Sequence, residues 1–267
     1  MGRATTVFLA ACMLAISASA EFKAGAALRV VTPDPLLPVS GGVGEPTPVS
    51  EQRGDLFARA IVLENDGTRM AIVSVDFLGW PSVLVERVLE RTDSVPDDNV
   101  LIGATHTHSA PDAYAFPDMQ GEHHADLDYL DRVCTLIAEA IDEAADNLQP
   151  AALRLAMGEV EGKIAYNYYA PQLWDPQAGV MQFVPAGGGT PIATLLNFAI
   201  HPEVLGESVG LLSPDLCGPL YERIEAETGG MAMFMNGALG GMITADNRTE
   251  SGRSERTWEE CVRIGTA

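Results

Sequence analysis

Basic side chains are scarce in this chain. It carries 16 lysines and arginines against 37 aspartates and glutamates, a formal charge of −21. A surface of that sign repels phosphate backbones and anionic bilayers, which argues against nucleic acid and anionic membranes as partners. Apolar runs of bilayer length are missing beyond the N-terminus. None approaches the roughly 20 residues that span a membrane as a helix. Cysteine is also sparse. Of four cysteines, Cys12 lies in a leader-like start, and Cys134, Cys217 and Cys261 make no complete set of disulfides. Cys134 falls on the apolar stripe of a helix and reads as a buried thiol, with a bridge to Cys217 or Cys261 as the alternative. Internal repeats and low-complexity tracts are absent.

What is present is enough apolar material, 47% of 267 residues, to build a sizeable core. Residues 1–20 read as a secretory signal. Arg3 supplies the charge, Val7 to Ile16 the apolar centre, and Ala18-Ser19-Ala20 a small-residue cleavage site. The expected location is secreted or periplasmic. The competing lipoprotein signal, Leu9-Ala10-Ala11-Cys12, would leave Met13 to Ala18 as an apolar overhang, so cleavage after Ala20 is favoured.

Strands are expected at Ala26 to Thr32, Asn99 to Thr105, Arg154 to Glu161, Gly179 to Val184, Ile192 to Ile200 and Met231 to Met235. Phe57 to Glu64 and Met70 to Phe77 form a hairpin around Asn65-Asp66-Gly67. Val83 to Leu89 reads as helix. From Asp126 to Leu148, apolar residues step by three and four (Leu127, Leu130, Cys134, Ile137, Ile141, Ala144, Leu148), the signature of one buried helical face. A short helix begins at Pro219 and stops at Gly229-Gly230, and another occupies Glu255 to Ile264. Alternating strands and helices define an α/β fold.

Two of the chain's five histidines stand one residue apart, in Thr105-His106-Thr107-His108-Ser109-Ala110-Pro111. Residues i and i+2 of a strand share a face, so His106 and His108 should project together where the strand ends. A third, His201, closes a second apolar run ahead of Pro202. Two strands that leave through histidine into proline suggest one convergent site, and grouped neutral imidazoles suit a transition metal, zinc most often. The alternative is chance spacing of hydrogen-bonded structural histidines. His123 and His124 read as a solvated loop rather than ligands. Asp76 reads either as a carboxylate supporting an imidazole or as a solvated strand-end residue. Asp215, after Ser213-Pro214, reads as a turn cap, with a place facing the site as the alternative. Asn236-Gly237-Ala238-Leu239-Gly240-Gly241 lacks the Gly-Lys-Ser/Thr ending of a phosphate loop, leaving a tight turn or a loop that lines a site. Asn247-Arg248-Thr249 matches a glycosylation acceptor, which matters only in a host that glycosylates secreted proteins.

Three segments in this order, Thr105 to Pro111, Asn197-Phe198-Ala199-Ile200-His201-Pro202 and Phe234 to Gly241, resemble the N-terminal catalytic domain of the neutral/alkaline non-lysosomal ceramidases. The likeness runs from about Ala24 to the end, is closest to the short bacterial relatives, and takes in Ser74-Val75-Asp76-Phe77-Leu78-Gly79. It implies mixed, layered β-sheets flanked by helices, incomplete at the C-terminal edge, over residues 21–267. It implies Zn2+ on His106 and His201, with His108 beside the metal to orient substrate or move protons. It implies that Asn236 and Gly237 wall the substrate site, and that the substrate is a small or lipid-like acyl compound. The family's remaining ligands, a glutamate and a tyrosine, lie later than residue 267. Its nucleophilic serine sits in Gly-Asp-x-Ser-Pro, where this chain reads Gly240-Gly241-Met242-Ile243-Thr244. Gly241 replaces the aspartate and Ile243 the serine, with Thr244 and Asp246 nearby.

Two functions follow. One is a secreted zinc-dependent hydrolase of an amide or related acyl bond. The other is a non-catalytic or decayed relative acting as a secreted binding or scaffold domain. Metal content separates them.

Overall fold

The computed structural model describes residues 21–42, 44–117 and 119–267, so the leader assigned to residues 1–20 lies outside the described residues. Its strands are β1 (Lys23–Val30), β2 (Glu51–Gln52), β3 (Phe57–Asn65), β4 (Thr68–Val75), β5 (Val100–Ala104), β6 (Gln149–Glu159), β7 (Ala165–Asn167), β8 (Gln177–Pro185), β9 (Ala193–Phe198), β10 (Leu211–Leu212), β11 (Met231–Asn236) and β12 (Ile243–Ala245). Its helices are α1 (Ser82–Leu89), α2 (Leu127–Asp146), α3 (Cys217–Thr228) and α4 (Trp258–Gly265). Eight strands form one mixed sheet in the order β11-β9-β8-β6-β1-β3-β4-β5. The β4/β5 and β9/β11 pairs are parallel and the others antiparallel.

At its middle the sheet is joined only through Lys23↔Pro150 and Ala24↔Gln149. It folds there, so that β5-β4-β3-β1 faces β6-β8-β9-β11. Strand alternation shows the layering directly. On β3 and β4, Ala58, Ala60, Val62, Ala71, Val73 and Val75 pack outward with the α2 residues Leu130, Ile137 and Ile141. Ile61 and Ile72 point inward and meet Phe183, Leu195, Met231 and Met233 from the opposite half. On that half Phe198, Ala232 and Phe234 face outward to Leu220 and Tyr221 of α3. The result is helices, sheet, sheet, helices: the α/β class that the sequence predicted, with the layering that the family resemblance implied. Ser74 Oγ donates to the Phe234 carbonyl at 2.6 Å and ties the two halves together.

Local chemistry explains the elements. Asp66 and Gly67, both at positive φ (52° and 74°), make the two-residue hairpin turn between β3 and β4. Asp126 caps α2 by accepting the Tyr129 N–H at 2.8 Å. A side chain at Gly25 would sit 2.1 Å from the Ala144 carbonyl, which is why β1 can lie so close to α2.

Several boundaries differ from the sequence expectation. The strand expected from Ala26 starts at Lys23, and the one expected from Arg154 starts at Gln149. Most of β6 is exposed, so burial leaves no alternating pattern there to read. Helix α3 starts at Cys217, placing Pro219 inside the first turn. Helix α4 starts at Trp258 under a Thr257 cap. Cys134, Cys217 and Cys261 are all free, buried thiols, so the bridge kept open as an alternative does not form.

Candidate metal and active site

Strands β5 and β9 run out at the same end of the sandwich, and each is followed by histidine. The segment after β5 is held on one side: Thr105, Thr107 and Ser109 are fully buried, while His106 and His108 turn the other way, only part-buried. Thr107 Oγ1 donates to the Ser213 carbonyl (3.0 Å) and the Ser213 N–H to the Ser109 carbonyl (2.9 Å), fixing this edge. The two histidines share a side as expected, but not because they extend a strand. β5 ends at Ala104, and His106 has left-handed backbone, φ 72°, which a non-glycine residue adopts at a cost.

His201 arrives from β9 and makes an isolated parallel bridge with Thr244 on β12. The three rings converge, with centroids 4.8 Å apart for His106–His201, 5.1 Å for His106–His108 and 5.7 Å for His108–His201. One ring nitrogen from each lies within 4.8 Å of the others. The residues that sequence placed at a common site are at a common site.

Main-chain carbonyls set the ring orientations. The Leu78 carbonyl faces His106 Nδ1 at 2.5 Å, and the Ile243 carbonyl faces His201 Nδ1. A carbonyl oxygen can only accept, so both Nδ1 atoms carry the proton and both Nε2 atoms present lone pairs. His108 differs. Its Nδ1 lies 3.8 Å from Glu203 Oε2, and its Nε2 is buried with no hydrogen-bond partner among the described residues. Burial lowers the His106 pKa and takes His108 down to about 4, the neighbouring imidazoles acting the same way and Glu203 opposing. Both rings are therefore neutral at pH 7, the form that ligates metals. The two lone pairs of fixed direction, on His106 and His201, offer a place that could hold a transition-metal ion, with the neutral His108 ring beside it.

Asn236, at the end of β11, stitches the two histidine segments together. Its Nδ2 donates to the Thr105 carbonyl at 2.5 Å and its Oδ1 accepts the Ile200 N–H at 3.3 Å. Gly237 follows so closely that a Cβ there would stand 3.1 Å from Ala199 N. Ile243 is 7% exposed and belongs to the outer core under α3 and α4. The serines next to the cluster are committed: Ser109 and Ser213 are fully buried, Ser109 Oγ donating to the Gly206 carbonyl and Ser213 Oγ accepting the Asp215 N–H.

Of the other side groups, Asp76 departs from both of its readings, whereas Asp215 and the His123-His124 pair keep theirs. Asp76 is neither solvated nor in contact with an imidazole: it is 1% exposed, accepting from the Phe57 N–H (2.8 Å) and the Tyr221 hydroxyl (3.1 Å). Burial pushes its pKa up to about 6 against the pull of Arg59. Asp215 is a cap, accepting the N–H groups of Val204, Leu205 and Leu216. His123 and His124 are exposed ahead of α2. Sequence reasoning missed Glu203, whose only signal was its place after His201-Pro202, and the orienting carbonyls of Leu78 and Ile243, which any side chain could supply.

A layered α/β domain brings three histidines together at its strand exits, in a group that could hold a metal ion. Residues 51–252 match the family model for the neutral/alkaline non-lysosomal ceramidase N-terminal domain, and the chain belongs to that family. It is 27% identical to the neutral ceramidase of Pseudomonas aeruginosa over 181 residues, 60% of this chain and 27% of that protein. The crystal structure of neutral ceramidase from Pseudomonas aeruginosa superposes with a TM-score of 0.77 at 22% identity, covering 92% of this chain and 43% of that one. A ceramidase structure complexed with C2 gives 0.76 at 22% identity, covering 92% and 42%. The chain thus spans less than half the length of these relatives.

Proposed function

We propose that the chain carries a zinc-dependent, ceramidase-like hydrolase site for an amide or related acyl bond of a small or lipid-like substrate. We also propose that it is exported, as secreted or periplasmic protein, after cleavage near Ala20. The observation that supports this best is the pair of imidazoles, His106 and His201, each locked by a backbone carbonyl with Nε2 free. These two would hold the ion. When bound, zinc supplies Lewis acidity to an acyl carbonyl and makes water a competent nucleophile near neutral pH.

The chain's own residues do the rest. With Ile243 in the core and Ser109 and Ser213 committed, water is the nucleophile that fits. As its oxygen attacks the carbonyl carbon, His108 Nε2 takes its proton; as the C–N bond breaks, the same nitrogen returns the proton to the departing amine. Asn236 fixes the spacing of the histidine segments, and Asn236 and Gly237 form the adjoining wall for the acyl group.

The test is an acyl-amide panel, including a ceramide, assayed with and without zinc. Zinc-dependent release of amine that is lost in His108→Ala supports the reading; turnover unchanged by chelation refutes it. The absence of a serine at position 243 favours one second reading, a non-catalytic relative that binds ligand. Full zinc occupancy with no turnover on any substrate would select it.

A further inference from the structure

Glu203 is the only carboxylate paired with a histidine of the cluster among the described residues. Its placement follows from local geometry. The Glu203 N–H donates to the His201 carbonyl at 2.9 Å, closing a three-residue turn with Pro202 at its centre, where a fixed φ near −65° suits the bend. The His108 N–H then donates to the Pro202 carbonyl at 3.1 Å. That pair of bonds carries Glu203 back across the His108 ring and sets Oε2 3.8 Å from Nδ1. Both side chains are largely buried, at 14% and 20% exposure, so the charge is weakly screened. The separation exceeds a direct hydrogen bond, so the pairing acts as a close charge contact.

The three histidines are therefore oriented by two different means. His106 and His201 lean on neutral carbonyls, whereas His108 Nε2 has no hydrogen-bond partner among the described residues and its Nδ1 faces Glu203. A carboxylate on the Nδ1 side stabilises the tautomer with its proton there and leaves the lone pair on Nε2. Without it, no carboxylate paired with His108 remains among the described residues to favour a proton on Nδ1.

We propose that Glu203 is the positioning residue for His108, fixing the Nδ1–H tautomer so that the buried Nε2 presents its lone pair to the cluster. The inference rests on the hydrolase reading for its consequence in turnover, but not for its structural content. Glu203 acts through His108 and touches no reacting atom.

The test uses the full chain as Glu203→Ala and Glu203→Gln, with 15N-labelled histidine. His108 resonances are assigned by their loss in His108→Gln. Metal-free wild type should show a single Nδ1–H tautomer for His108. Glu203→Gln, whose amide oxygen can still accept, should keep it; Glu203→Ala should give a mixed or Nε2–H tautomer, with His106 and His201 unchanged. On an amide that the wild type cleaves, Glu203→Ala should lower kcat roughly 10–100-fold with KM little changed, and Glu203→Gln should lose less. If the wild type cleaves nothing but the tautomer moves in Glu203→Ala, the hydrolase reading fails and the positioning role stands. A His108 tautomer identical in wild type and both variants overturns the proposal, whatever the activity. Should Glu203→Ala not fold, loss of the tautomer in Glu203→Gln overturns it alone.

Discussion

The main-chain carbonyl of Ile243 accepts the Nδ1–H of His201. Ile243 thus aims a histidine through its backbone, while its side chain fills the outer core with Leu220 and Ile264. A hydroxyl at this position should not create a nucleophile. Ile243→Ser places a polar group and a void in an apolar layer, and should lower stability by about 2–5 kcal/mol in urea denaturation. A variant of undiminished stability that shows a burst of acyl-enzyme would contradict this placement.

Asn236 joins Thr105, next to His106, to Ile200, next to His201. Asn236→Ala leaves a buried carbonyl and a buried N–H short of partners, at about 1–3 kcal/mol. Because both histidine segments are then free to drift, zinc affinity should fall roughly 10-fold as well, as for other supports of ligand orientation. A competition titration against a chelator measures it. An affinity equal to wild type with only KM raised would mean that the amide serves substrate alone.

Asp76 lies at the base of the segment that supplies the Leu78 carbonyl, and burial raises it from 3.8 to about 6. The folded state therefore holds this proton more tightly than the unfolded state does. Between pH 4 and 6 folding binds protons, so the contribution of Asp76 to stability is complete below about pH 4 and is lost as pH rises through about 6, by about 3 kcal/mol. Asp76→Asn can keep the Phe57 and Tyr221 partners without the charge, and its stability should rise relative to wild type as pH goes from 4 to 7. Parallel curves from denaturant melts would disprove the shift.

The parts of this molecule legible in its sequence are those governed by short-range periodicity. The stripe of α2, the Asp66-Gly67 hairpin and the strand runs before His106 and His201 all repeat at helical or strand spacing and stand close to their expected bounds. The convergence of His106 and His201 was legible because each follows an apolar strand, and strands of one sandwich share an end. Layering was not: whether Ile61 faces a helix or the opposite sheet depends on the fold at Lys23↔Pro150, far from either partner in sequence. The same holds for Asp76, buried by a tyrosine 145 residues away. Glu203 escaped notice because a carboxylate after His-Pro gains meaning only when the Pro202 carbonyl meets the His108 N–H.

The most direct test of the whole account is zinc analysis by mass spectrometry on purified wild type, His106→Ala, His201→Ala and His108→Ala, each dialysed against the same trace of zinc. The account predicts about one zinc per wild-type chain, loss in His106→Ala and His201→Ala, and retention in His108→Ala with turnover gone. Equal zinc in wild type, His106→Ala and His201→Ala would contradict it.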